Sequence, residues 1–119
     1  MSATQGTEAT RALVDAFNAT WNAHDLEAAL QLCAPDVVFE STDPAPDGRR
    51  FEGRDAVRGA WAPIFDDSRS HFDTEELLVL GERVVQRWRF SWGSAHVRGV
   101  DVIAVRDGLV AEKLSYVKG

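Results

Sequence analysis

Cysteine is nearly absent from this sequence. Cys33 is the only one among 119 residues, so no disulfide can close within the chain, and no cysteine cluster can hold a metal. Basic residues are also in the minority: 13 Lys and Arg stand against 19 Asp and Glu, a formal net charge of -6. A surface of that sign gives counterion release nothing to work with, so nucleic acid is not an expected partner. No apolar run is long enough to span a bilayer, and the opening MSATQGTEAT lacks the basic and apolar regions of a secretion signal. The expectation is therefore a cytoplasmic protein with no membrane partner. The histidines His24, His71 and His96 show no ligand spacing such as HxxxH, and no glycine-rich phosphate loop is present, so neither a metal nor another cofactor is expected.

The residues that are present describe one domain over 1–119, with residues 1–6 read as a flexible tail. Leu13, Ala16, Phe17, Thr20 and Trp21 recur at spacings of three and four, which predicts a helix from Thr7 to Ala23 with one buried stripe. Asp25 is placed to cap a second helix whose inward residues are Leu26, Ala29, Leu30 and Cys33, and Ala34-Pro35 ends it. On that reading Cys33 is a buried apolar residue, not a reactive thiol. A short strand over 36–41 follows, then a Pro/Gly-rich loop over 42–48 suited to a pocket mouth. Val57, Ala60, Trp61, Ile64 and Phe65 mark a third helix that Pro63 should kink or shorten. Beyond Ser70, four antiparallel strands are predicted over 71–80, 83–92, 96–106 and 109–117. Helices followed by a run of strands indicate an α+β fold with the helices on one face of a curved sheet.

Within 83–92, alternation puts Val84, Gln86, Trp88, Phe90 and Trp92 on the helix side, with Arg87, Arg89 and Ser91 opposite. In the next strand both alternating sets contain apolar residues. Pairing the outward arginines with the polar residues His96 and Arg98 turns Asp101 inward. A buried carboxyl group must find a cation or keep its proton, and either state suits acid/base chemistry. A purely structural Asp101, bonded to Lys113, Trp61 or Gln86, is the other reading. It depends on whether the last strand turns Ala111, Lys113, Ser115 and Val117 inward, or Val110, Glu112, Leu114 and Tyr116.

Three stretches, FNATWNAHDLEAALQLCAPDVVFES, FEGRDAVRGAW and RGVDVIAVRDGLVAEKLSY, together resemble the SnoaL-like branch of the nuclear transport factor 2-like superfamily. The resemblance implies a cone-shaped fold of three N-terminal helices packed on a curved, mainly antiparallel sheet. It also implies a deep pocket and dimerisation through the outer sheet face. Ketosteroid isomerases and polyketide cyclases are among the relatives. In the isomerase pattern Phe17 stands where the oxyanion-binding tyrosine belongs and Ser41 falls near the general-base aspartate, while Asp101 retains the third acid. That constellation is therefore incomplete, although the same position resembles the acid/base aspartate of the cyclases. Epoxide hydrolysis is discounted, because Arg98 and Asp101 lie on opposite faces of one strand.

The expected function is thus a pocket for a small apolar or carbonyl-bearing molecule, with isomerase or cyclase-type lyase chemistry through Asp101. The alternative is a non-catalytic binding or dimerisation module. Substrate contacts are expected from Phe17, Trp21, Phe39, Ser41, Trp61, Phe65, Gln86, Trp88, Phe90 and Lys113, in a homodimer.

Overall fold

Alternation and helical periodicity place most elements within a residue or two of where they lie. A computed structural model describes residues 3–118, with α1 at Ala3–Asn22, α2 at Leu26–Gln31, β1 at Cys33–Glu40, β2 at Arg50–Glu52 and α3 at Arg54–Asp66. Four long strands follow: β3 at Ser70–Leu80, β4 at Arg83–Trp92, β5 at Ala95–Arg106 and β6 at Leu109–Val117. The sheet order is β2-β1-β6-β5-β4-β3, with β1 parallel to β6 and every other neighbour antiparallel. The three helices pack on its inner face, giving the mainly antiparallel α+β cone. None of the described helices is long and apolar enough to cross a membrane.

Four expectations need correction. The first helix starts at Ala3, so residues 3–6 continue it where a tail was expected; residues 1 and 2 lie outside the described residues. Its buried stripe is Thr10, Val14, Phe17 and Trp21, while Ala16 is exposed. Val14 outcompetes alanine for the interior because it removes more apolar area from water. Cys33 opens β1 and does not close α2: α2 ends at Gln31 with Leu32 as its C-cap, and Val110 N–H on β6 donates to Leu32 O at 2.8 Å. The chain pairs with β6 earlier than proline signals imply, and Pro35 is tolerated where the β1–β6 register shifts. Finally, of the two outcomes expected at Pro63, shortening does not occur: α3 continues past it to Asp66.

The local signals that held have clear causes. Asp25 caps α2 by accepting from Ala28 N–H at 3.1 Å, and His24 before it takes the left-handed turn at φ 57° that swings the chain round. Inside the cone, Phe17, Trp21, Trp61 and Phe65 pack ring against ring, with centroid separations from 4.4 to 6.4 Å.

The outer sheet face carries the arginines, as alternation requires. Arg87 pairs with Glu76 at 2.8 Å and Arg98 with Glu75 at 3.0 Å, both within the chain. These exposed pairs contribute little stability.

The last strand resolves the open question of which set faces in. The β5–β6 register shifts between Ala104 and Val105, so Val110 is inward before the bulge, and Lys113 and Ser115 are inward after it. Each alternating set was therefore right for part of the strand.

Candidate ligand cavity

Asp101 points into the cone and is 2 % exposed, as expected. Its surroundings follow from strand register. Gln86 is its lateral partner on β4 and Ser115 its partner on β6, so all three side chains emerge on the same face side by side. Gln86 Nε2 donates to Asp101 Oδ2 at 3.0 Å, and Ser115 Oγ donates to Oδ1 at 2.7 Å. Lys113, two residues along β6, brings its ammonium to 3.3 Å from Oδ2 and donates to Ser115 Oγ at 3.1 Å. Asn18 of α1 closes the network by donating to Gln86 Oε1 at 2.8 Å.

Both carboxyl oxygens therefore accept, and a cation lies alongside. Of the partners open to a buried acid, the structure supplies a cation, Lys113. Trp61 is not part of the network: its ring N–H is buried without a hydrogen-bond partner.

Lys113 also lies 5.1 Å from the ring centroids of both Trp21 and Phe39, so its charge sits between an aromatic clamp and Asp101. Beyond it opens a cavity of about 470 Å³, within the size range of small-molecule sites. Of the predicted contacts, Trp21, Phe39, Ser41, Trp88, Phe90 and Lys113 line this space. A second, narrow recess of about 30 Å³ shares Trp21, Phe72, Trp88 and Lys113 with it and is closed by Gln86 and Asp101. It has room for a group the size of one water molecule.

Phe17, Trp61 and Phe65 were also predicted as ligand contacts, and the structure removes them from the wall. They are 0 %, 0 % and 5 % exposed, lie in the aromatic core behind it, and are in neither cavity lining. Helical periodicity shows that a side chain is buried but cannot say whether it meets a neighbour or a void. Conversely, Phe72 and Phe51 line the cavity without having been singled out. Register carries the missed signal. Phe72 lies opposite Phe90 and stacks on it at 4.5 Å, and Phe51 lies opposite Phe39.

At the mouth, Ser41 is a structural anchor. Its hydroxyl donates to Asp43 O at 2.8 Å and accepts from Arg49 N–H at 3.0 Å, pinning the base of the loop. Thr42, Asp43 and Pro44 of that loop and Arg49 beyond it form the rim, so the proline-rich segment does stand at the pocket entrance. Trp88 owes its position to Gly99, its lateral partner on β5. A β-carbon at residue 99 would lie 2.4 Å from the Trp88 ring and 2.3 Å from Tyr116 O, so only glycine lets the indole lie across the strand.

Cys33 is fully buried; its thiol donates to Ala29 O at 3.4 Å, and burial pushes it up to about 12. It is inert packing material.

Comparison with known proteins agrees with the architecture. The family model described as a SnoaL-like domain matches residues 14–113. A nuclear transport factor 2-like protein of unknown function from Mesorhizobium loti superposes with a TM-score of 0.86 at 40% identity, covering 95% of this chain and 93% of the other. A ketosteroid isomerase candidate from Kribbella flavida DSM 17836 has a TM-score of 0.82 at 25% identity, covering 95% and 80%. Among curated proteins, the heme-binding subunit of a protein-methionine-sulfoxide reductase from Yersinia enterocolitica is 27% identical over 85 residues, 71% of this chain. The chain spans less than half of that relative, 43% of its length.

Proposed function

This chain belongs to the SnoaL-like domain family, and from that premise we propose that it binds a flat, apolar small molecule whose oxygen acceptor rests on the Lys113 ammonium. One observation carries the reading: a cavity of about 470 Å³ with six aromatic side chains in its wall also has a buried lysine there. Burying an ammonium is costly unless a partner recovers the loss. Asp101 recovers part of it at 3.3 Å, and it leaves Lys113 with N–H groups facing the aromatic space. In this reading Lys113 anchors the ligand and Asp101 is its counter-ion, while Trp21, Phe39, Phe72 and Trp88 clasp the apolar body.

The test is a tryptophan-fluorescence titration with a planar neutral ketone such as methyl naphthyl ketone. Trp21 and Trp88 lie in the wall, so occupancy should quench emission. Ala60, on α3, also lines the space, and Ala60→Phe should fill it and weaken binding at least about tenfold while the fold survives. Absence of binding to the parent protein, or equal binding to the filled variant, refutes the reading.

A second reading adds turnover, supported by the 25% identity to the Kribbella isomerase candidate. Lys113 would polarise a substrate carbonyl while Asp101 accepts a proton from the adjacent carbon and returns it elsewhere, as an isomerase or cyclase requires. NMR in deuterated water distinguishes the two readings. Turnover exchanges the α-protons of bound ketone, and their retention in the parent protein removes it.

Association of two copies through the outer sheet face belongs to the same proposal. Support comes from Val85 and Tyr116, apolar side chains of the outward sets of β4 and β6 that are 38 % and 57 % exposed. Sedimentation of the parent protein as a monomer would refute it.

A further inference from the structure

The wall of the two connected cavities contains four charged residues, two of each sign. Arg49 and Asp43 face each other in charge at the rim, and Lys113 and Asp101 do so at the inner end. The site is therefore formally neutral. Its inner end is also one-sided in hydrogen bonding. Both Asp101 oxygens are already occupied, by Ser115 and Gln86. The donors are not. Among the described residues, the buried side-chain atoms lacking a hydrogen-bond partner are all N–H groups, and two of the residues that carry them, Trp21 and Trp88, line the cavity. Both residues are more than nine-tenths buried, at 6 % and 7 % exposure. Lys113 uses one N–H on Ser115 and ion-pairs with Asp101, which leaves it further donor capacity.

An orphaned buried donor is costly, and an incoming acceptor relieves that cost. Which acceptor fits is decided by Asp101. An anion seated on Lys113 would lie one ion-pair length from the lysine and would meet the Asp101 charge just behind it, in a space with little water to screen the repulsion. A neutral oxygen takes the same donors without that repulsion.

We propose that Asp101 is a specificity-determining residue: by neutralising Lys113 from behind, it makes the cavity select uncharged carbonyl-type acceptors and reject carboxylates of the same shape. This rests on the binding reading given above and adds the charge of the ligand to it. Removing the Asp101 charge leaves the inner end with an uncompensated cation, and the preference then reverses.

The test compares methyl naphthyl ketone with naphthoate at neutral pH, on the parent protein, Asp101→Asn and Lys113→Met. In the parent, the ketone should bind at least about tenfold more tightly than the carboxylate. In Asp101→Asn the order should invert. Should that variant fail to fold, Lys113→Met decides, because it keeps Asp101 and loses the cation: naphthoate binding should then fall further than ketone binding. Naphthoate binding the parent as tightly as the ketone, with both ligands excluded by Ala60→Phe, overturns the charge-balance inference and leaves the cavity reading standing. Failure of both ligands to bind the parent overturns both.

Discussion

Replacing Lys113 by methionine keeps most of the side-chain volume and deletes one charge, leaving Asp101 buried at 2 % exposure with hydrogen bonds but no cation. At the observed 3.3 Å, Coulomb's law with an effective dielectric of about 20 gives roughly 5 kcal/mol of attraction. Desolvation of the two ions opposes this, so the pair's net contribution is smaller. The cost of breaking it from one side remains large, about 3–5 kcal/mol, because the surviving charge stays buried. Asp101→Asn should cost a similar amount from the other side. The double variant leaves no orphaned charge and should therefore be more stable than either single change predicts. The measurement is the urea midpoint and slope of all four proteins, combined as a double-mutant cycle. The coupling expected is at least about 2 kcal/mol, with the double variant no less stable than the weaker single. Additivity to within about 0.5 kcal/mol would show that Lys113 and Asp101 do not sense each other, and the account of the site would collapse with it.

Two further outcomes test the packing around the cavity. Gly99→Ala should cost about 3 kcal/mol in urea unfolding and shift the tryptophan emission, because the added carbon meets Tyr116 O at 2.3 Å and displaces the Trp88 ring; parent-like stability and spectrum would contradict the proposed seat of Trp88. Cys33 should resist thiol reagents in the native protein and react once unfolded. Its folded value of about 12 lies above the ordinary 9.0, so the folded state holds the proton longer; the stability this represents is complete below pH 9.0 and is lost as pH rises towards 12. Cys33→Ala should lack that component of the alkaline loss, about 1.4 kcal/mol for each pH unit above 9.0, and identical pH profiles for the two proteins would contradict it.

Most of the element order was legible because each element carries its own periodicity. Trp61 and Phe65 fall on one helical face, and Val84, Gln86 and Trp88 alternate inward along one strand whatever surrounds them. The inward turn of Asp101 was legible too, since the polar residues of two adjacent strands favour one side. Cys33 was misplaced because a helix end and a strand start look alike over two or three apolar residues, and the pairing with β6 decided between them.

The sequence by itself therefore determined the inventory: an acidic chain, helices before strands, a lone inward carboxylate and a surplus of large aromatic rings. Only the tertiary structure decided which of those rings close the core and which face a cavity, because burial is a property of one residue and a void is a property of many. It also decided that Asp101 has a cation beside it. The bulge in β6 that turns Lys113 and Ser115 inward comes from how two strands register, and no single strand carries that information.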